Sequence, residues 1–274
     1  MPSNREAYFE ALKLGIPKTV INFALQEVNG FSYSELTRHL DDKIKDYFTF
    51  KFAMMRYEKG EMIEYIFNKS YFCGYPFYVD KNVLIPRQET EELVEITCRY
   101  IDSLFSNKSI TIADVCCGSG VIGIALAKKY PNNHYVLSDI SKEAVRVANK
   151  NVESLCNDID IKVLEGNLLE PLKDYKFDVI VCNPPYISDI STIDKKTWNE
   201  EPHLALLANP NTKYYEEILK NYNEIMNKEC LLAFEIGEDM EESLTKLVKR
   251  YCQKCSFLFK KDIYGKTRFL FIKQ

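Results

Sequence analysis

What is scarce in this chain narrows its identity first. No apolar run approaches the roughly 20 residues that cross a bilayer, so no membrane span is expected. The start, "MPSNREAYFEALKLG", has no uninterrupted apolar core of the kind a secretory signal carries. Gly and Pro, 10 of each in 274 residues, are too few for a fibrous or disordered chain. Histidine occurs only as His39, His134 and His203, which leaves little for a His-based catalytic dyad. No "GK[ST]" follows a glycine-rich loop, so a polyphosphate cradle is not expected. Excess positive charge is missing too: the formal net charge is −4 and the pI about 5.6. That argues against a protein gripping a nucleic-acid backbone over a long footprint. No internal repeat or low-complexity segment stands out.

What is present is an ordinary globular composition, 46% hydrophobic and 28% charged, at a length that suits a main domain with a smaller one attached. The 9 cysteines are an odd count and sit mostly inside apolar runs. They read as small hydrophobes in a reducing, cytoplasmic compartment. "CQKC", Cys252 to Cys255, has the spacing of half a zinc site, but no second pair lies near it in sequence and no metal is expected.

The chain has two textures. Residues 1–70 are rich in long side chains and poor in strand signals. "NREAYFEALKLG" places Ala7, Tyr8, Ala11 and Leu12 on one helical face, and "PKTVINFALQEVNG" runs from a proline to a glycine. "SYSELTRHL" has Glu35 three residues after Ser32, a capping box. A small domain of four or five short helices is expected, either a packing cap or a docking surface. Residues 71–90 read as a linking β-hairpin, with "YFCGYPFYV" and "NVLIP" joined through "DKN". A helix follows with Leu93, Val94, Ile96, Thr97 and Ile101 on its buried side. Within 91–274, strand and helix alternate from residue 110, with Ser141 as one helix cap. This pattern implies a mostly parallel sheet covered on both faces. The closing "CSFLFKKDIYGKTRFLFIK" must be an antiparallel pair.

In such a sheet ligands bind beyond the carboxyl ends of the strands. Four loops fall there. "DVCCGSG" offers Gly118 and Gly120, which let backbone approach a ligand, although glycines often only make a turn. Asp139 ends a strand about twenty residues later, where a carboxylate can take both hydroxyls of a ribose. The alternative is a cap for the next helix, but the spacing from the glycines favours the ribose. Asn167 and Leu168 in "EGNLLEP" could hold the edge and face of an adenine, or simply leave a strand. The fourth loop is "NPPY". Its prolines fix φ and carry no N–H. The carbonyls of Asn183 and Pro184 can then point outward, Asn183 adds a side-chain acceptor, and Tyr186 adds a flat face. Two acceptors and a ring make a clamp for a planar NH₂ group. A ribose-and-adenine cofactor without polyphosphate, beside such a clamp, points to S-adenosyl-L-methionine and methyl transfer to nitrogen. Alignment and electrostatics then carry the catalysis. No strong general base is required, because the nitrogen becomes far more acidic as it is methylated. His203, in "EEPHLALL", is the histidine nearest to a site role.

Over nearly its whole length the chain resembles the protein-(glutamine-N5) methyltransferases that modify peptide-chain release factors, the HemK/PrmC family. The resemblance rests on "VLIPRQETEELVE", "DVCCGSG", "DISKEAVRVANKN", "VIVCNPPYI", "NEEPHLALL", "LLAFEIG" and "DIYGKTRFLF". It implies a seven-stranded, Rossmann-like class I S-adenosylmethionine-dependent methyltransferase domain (α/β) behind a helical substrate-docking domain. By position it implies cofactor contacts at Cys116, Cys117, Gly118, Ser119, Gly120, Asp139, Asn167, Leu168 and Asn183, with Thr90 of the joint. It implies a substrate clamp at Asn183, Pro184, Pro185 and Tyr186, with Arg87 and Glu89 beside it. Asn183, Pro184 and Tyr186 would be the catalytic set. The implied partner is a class I release factor presenting the glutamine of a Gly-Gly-Gln loop, met by a monomer without direct nucleic-acid contact. Three departures stand out: Cys116 where the family has Gly, Gln88 where it has Pro, and no double Gly after "HLALL". Two other readings use the same residues. A nucleic-acid methyltransferase would clamp a flipped adenine amine and would want a basic groove. A non-catalytic cofactor-binding regulator would have no use for Asn183.

Overall fold

Residues 1–106 and 108–274 are described by the computed structural model, in which the chain divides into two compact units. The first is Met1–Lys69 together with Lys195–Glu200, the second Ser70–Asp194 with Glu201–Gln274. Each has its own core.

The first unit holds α1 (Asn4–Lys13), α2 (Lys18–Asn29), α3 (Tyr33–Arg38), α4 (Tyr47–Glu58) and α5 (Ile63–Phe67). Their starts and stops are written locally. Ser3 with Glu6, and Ser32 with Glu35, form reciprocal capping boxes, and Asp46 accepts from the Thr49 N–H. Gly30 closes α2 in the left-handed conformation, φ 68°. Ala7, Ala11, Ile21, Leu25, Leu36 and Phe50 form the centre, with Tyr8 and Leu12 half-buried against it.

The second unit opens with the hairpin of β1 (Ser70–Phe72) and β2 (Tyr75–Phe77), then α6 (Gln88–Leu104). There follow β3 (Thr111–Val115), α7 (Val121–Lys129), β4 (His134–Asp139), α8 (Lys142–Leu155), β5 (Ile161–Glu165) and β6 (Phe177–Cys182). After α9 (Lys195–Glu200), which belongs to the first unit, come α10 (Lys213–Asn221), β7 (Met226–Glu235), α11 (Glu241–Tyr251), β8 (Ser256–Lys261) and β9 (Thr267–Lys273). The sheet runs β5-β4-β3-β6-β7-β9-β8. β3 to β7 are parallel; β9 is antiparallel to both β7 and β8. Apolar side chains fill both faces, as a doubly covered sheet requires.

The hairpin differs from the sequence expectation. Its turn is Cys73-Gly74, with φ of 48° and 80°, and "NVLIP" forms no second strand. Positive φ at both central residues matches the twist of a two-residue hairpin. The "DKN" turn is real, closed by the Asn82 N–H donating to Asp80 Oδ1 at 3.0 Å, but it leads into an irregular segment. Phe72 and Phe77 enter the core of the second unit, and the Cys73 N–H donates to Glu91 Oε1 on α6 at 2.8 Å. The hairpin is thus part of the second unit's own packing.

Strand order reverses between β3 and β6, whose ends are register partners at Val115 and Cys182. Helices leaving β3 and β6 go to opposite sides, which opens a crevice there.

Candidate active site

The crevice is lined from the loops that follow β3, β4, β5 and β6. Gly118, Asp139, Ile140, Asn167, Leu168 and Asn183 all face it, joined by Asn82–Leu84, Pro86, Arg87 and Thr90 from the segment before α6. Pro202, Leu204, Ala205 and Tyr214 complete the wall.

The glycine loop is folded around two contacts. Gly118, at φ 54°, donates its N–H to Asp139 Oδ2 at 2.9 Å, and a Cβ there would meet nothing within 4 Å. Gly120, at φ 80°, starts α7 against Ile124, Leu137 and Ala148, where a Cβ would lie 3.2–3.3 Å from each. Two non-glycine residues of the wall, Cys116 and Leu168, are also left-handed, at φ 59° and 48°. Such backbones cost about 1 kcal/mol each and persist where surrounding structure over-determines them. Asn151 of α8 pins the loop from behind. Its Nδ2 donates to the carbonyls of Ser119 and Tyr78, both at 2.9 Å, and its Oδ1 takes the Tyr78 N–H at 2.7 Å.

Asp139 uses one lone pair of each oxygen on backbone, Oδ2 on Gly118 and Oδ1 on the Ser141 N–H at 2.9 Å. A carboxylate oxygen has a second lone pair, so both remain able to accept. Burial raises its pKa, opposed by those N–H donors. Beneath it, Asp114 is fully buried, with Oδ2 on the Gly123 N–H at 2.8 Å and Oδ1 without a hydrogen-bond partner. Burial and, less strongly, the charge of Asp139 push its pKa up to about 7. Ser141 caps α8 through the Ala144 N–H.

The "NPPY" segment leaves β6 at Cys182 and is held by residues 206–208. The Ile187 N–H donates to the Leu206 carbonyl at 3.0 Å, and the Ala208 N–H to the Ile187 carbonyl at 2.9 Å. Asn183 Nδ2 donates to Thr90 Oγ1 at 3.3 Å, and the Thr90 hydroxyl donates to Glu235 Oε2 at 2.7 Å. The Tyr186 hydroxyl reaches the other oxygen, Oε1, at 3.3 Å. Glu235 ends β7, is buried, and has its pKa raised by desolvation. Burial and then Glu235 raise that of Tyr186.

Of the residues singled out in the sequence, Asn183, Pro185, Thr90, Arg87 and the whole 116–119 run line the crevice, with Asp139, Asn167 and Leu168. Gly120, Pro184, Tyr186 and Glu89 lie outside that lining. Tyr186 is half-buried and directs its hydroxyl inward; the Thr90 hydroxyl is engaged on both sides. Arg87 is ion-paired with Glu201, whose side chain is fully buried. His203 is exposed while its neighbours Pro202 and Leu204 face the crevice. Glu235, Asp114, Glu201 and Ile140 were not singled out. An acid at the end of the apolar run "LLAFE" and another inside "TIADV" were the available signals.

Solved structures share this fold. A methyltransferase from Pyrococcus furiosus superposes with a TM-score of 0.52 at 16% identity, over 73% of this chain and 89% of that one. The catalytic domain of human METTL16, solved with a hairpin of the MAT2A 3′UTR, gives 0.55 at 14% identity over 88% and 87%. A family model described as "Methyltransferase small domain" matches residues 95–200. Seven-stranded sheet and strand-end crevice together therefore define a class I methyltransferase.

Relatives in sequence narrow the class. A release factor glutamine methyltransferase of Flavobacterium psychrophilum is 36% identical over 223 residues, 80% of this chain and 77% of that protein. That of Mycoplasma mycoides is 33% identical over 269 residues, 95% and 94%. That of Staphylococcus aureus is 31% identical across 100% of both chains. The chain belongs to the release factor glutamine methyltransferase family.

Proposed function

We propose that this chain transfers a methyl group from S-adenosyl-L-methionine to the side-chain amide nitrogen of the glutamine in the Gly-Gly-Gln loop of a class I release factor. When bound, the cofactor supplies a methyl group activated by a sulfonium and leaves as S-adenosyl-L-homocysteine. The crevice suits it. The open approach over Gly118, the free lone pairs of Asp139 and the apolar Ile140 and Leu168 fit a nucleoside. Arg87 is the sole cation among the lining residues, and its pairing with Glu201 leaves little for a polyphosphate.

One observation carries the substrate reading: the Asn183 amide is anchored through its NH₂ on Thr90, which leaves Oδ1 for the crevice. An acceptor there takes one hydrogen of an incoming carboxamide NH₂ and orients the nitrogen, which favours reaction by alignment. Tyr186, tied to Glu235, holds the turn that carries Asn183. The helical unit serves as the docking surface: Phe48, Phe52 and Met55 of α4 share one face and are 78%, 61% and 47% exposed. A nucleic-acid amine is the less favoured substrate, given family membership, the net charge of −4 and a crevice without a free cation among the lining residues.

The test is to incubate the protein with S-adenosyl-L-methionine and a release factor and map the added methyl by peptide mass spectrometry. The expected site is the glutamine of the Gly-Gly-Gln peptide. Methyl appearing in nucleic acid instead, with that glutamine unmodified, would sink the reading.

A further inference from the structure

The Asn183 amide has two ends of nearly equal shape, and only one serves the clamp. With Oδ1 in the crevice it accepts from a substrate NH₂; turned over, it presents a second NH₂ group. Thr90 alone does not choose, because a hydroxyl can donate or accept. The choice lies one bond further back, at Glu235.

We propose that Glu235 is a positioning residue for methyl transfer: its ionised carboxylate takes the Thr90 hydroxyl proton on one oxygen and the Tyr186 hydroxyl proton on the other, and so fixes Asn183 with its carbonyl oxygen toward the crevice. An ionised carboxylate only accepts. Thr90 must then donate to Oε2 at 2.7 Å, which leaves its oxygen as the acceptor for Asn183 Nδ2 at 3.3 Å. Tyr186 must donate to Oε1 at 3.3 Å. Both side chains of the clamp hang on this one carboxylate, which is 3% exposed. A protonated Glu235 can donate to Thr90 instead. Thr90 then donates to Asn183, and the amide turns its NH₂ to the crevice.

The surroundings set when that happens. Glu89 on α6, Tyr186 after β6 and Arg268 on β9 act on Glu235, Arg268 favouring its charge and Glu89 opposing it. Tyr215 of α10 donates its hydroxyl to the Glu235 backbone carbonyl at 2.7 Å, and the two side chains interact electrostatically. Burial is the largest influence and raises the pKa above the usual 4.5. The active form is the ionised one, so turnover is present at high pH and is lost as pH falls through that raised value.

This proposal rests on Asn183 acting as the amide clamp. The test measures kcat, cofactor Kd and the pH profile of release-factor methylation for wild type, Glu235→Gln, Thr90→Val and Thr90→Ser. Glu235→Gln offers one acceptor and one donor, so the amide of Asn183 is no longer held one way. Both Glu235→Gln and Thr90→Val are expected to lose roughly tenfold or more in kcat, the scale of one lost buried hydrogen bond. Thr90→Ser regains most of what Thr90→Val loses, and the acid limb of the wild-type profile is absent in Glu235→Gln, whose cofactor Kd is unchanged. Should Glu235→Gln fail to fold, Thr90→Val against Thr90→Ser decides. Wild-type kcat in a folded Glu235→Gln or Thr90→Val, or an acid limb that persists in Glu235→Gln, overturns the proposal. A wild-type enzyme that leaves the release factor unmodified overturns the substrate reading itself, and this proposal with it.

Discussion

Asp114 holds an unpaired oxygen under the glycine loop, and its carboxyl is pushed up to about 7 from 3.8. Between those values the folded state binds a proton that the unfolded state has released. Stability therefore falls as pH rises through this window, by up to a few kcal/mol, and Asp114→Asn removes the dependence. Denaturant unfolding at pH 5 and pH 8 checks this: the difference between the two should shrink in the variant. Asn183→Ala should abolish transfer while weakening cofactor binding only modestly, read by titration alongside turnover; full turnover would mean the clamp is misread. At this scale the sequence pointed to residues that line the crevice and said little about what stands behind them. Asn183, Asp139 and Gly118 announce themselves by residue type beside a strand end. Glu235 lies inside an apolar run, and its partner Thr90 is 145 residues away, a proximity that only the folded sheet creates.

Element by element, local rules worked wherever the deciding contacts were local. The box at Ser32 and the cap at Ser141 lie within three residues of their partners. The hairpin failed as a reading because its turn is set by Cys73, a residue with no preference for φ 48°. Tertiary packing of Phe72 and Phe77 holds it there. The two glycines of the loop after β3 have different tasks, and substitutions separate them. Gly120→Ala combines a left-handed backbone with contacts of 3.2–3.3 Å to Ile124, Leu137 and Ala148. It is expected to cost about 1–3 kcal/mol in denaturant unfolding. Gly118→Ala has open space around it, so its stability loss is about 1 kcal/mol of backbone strain. Its new methyl stands beside the crevice, so its effect should be larger on cofactor Kd, measured by titration.

In the whole molecule, catalysis and the proposed docking surface fall to separate cores. Every lining residue of the crevice belongs to the second unit, and the exposed face of Phe48, Phe52 and Met55 to the first. Phe48→Ser with Phe52→Ser should raise KM for an intact release factor while leaving turnover of a short Gly-Gly-Gln peptide and cofactor Kd unchanged. Equal KM for the intact partner would remove the docking role from that face. The division into two textures was visible in composition. The return of Lys195–Glu200 to the first unit was not, because it depends on a contact such as Lys196 over the ring of Tyr57, far apart in sequence.

The distance in sequence between Thr90, Asn183 and Glu235 has a consequence for synthesis. The ribosome delivers them in that order, with Glu235 last, at the end of a strand that pairs with β6 and with the later β9. Long-range pairings of this kind form late in folding. A growing chain thus carries Asn183 and Tyr186 for some time without the carboxylate that both depend on, and competence is predicted to arrive only once the end of β7 docks. A product stopped just short of Glu235 would contain the full "NPPY" segment and do no methylation.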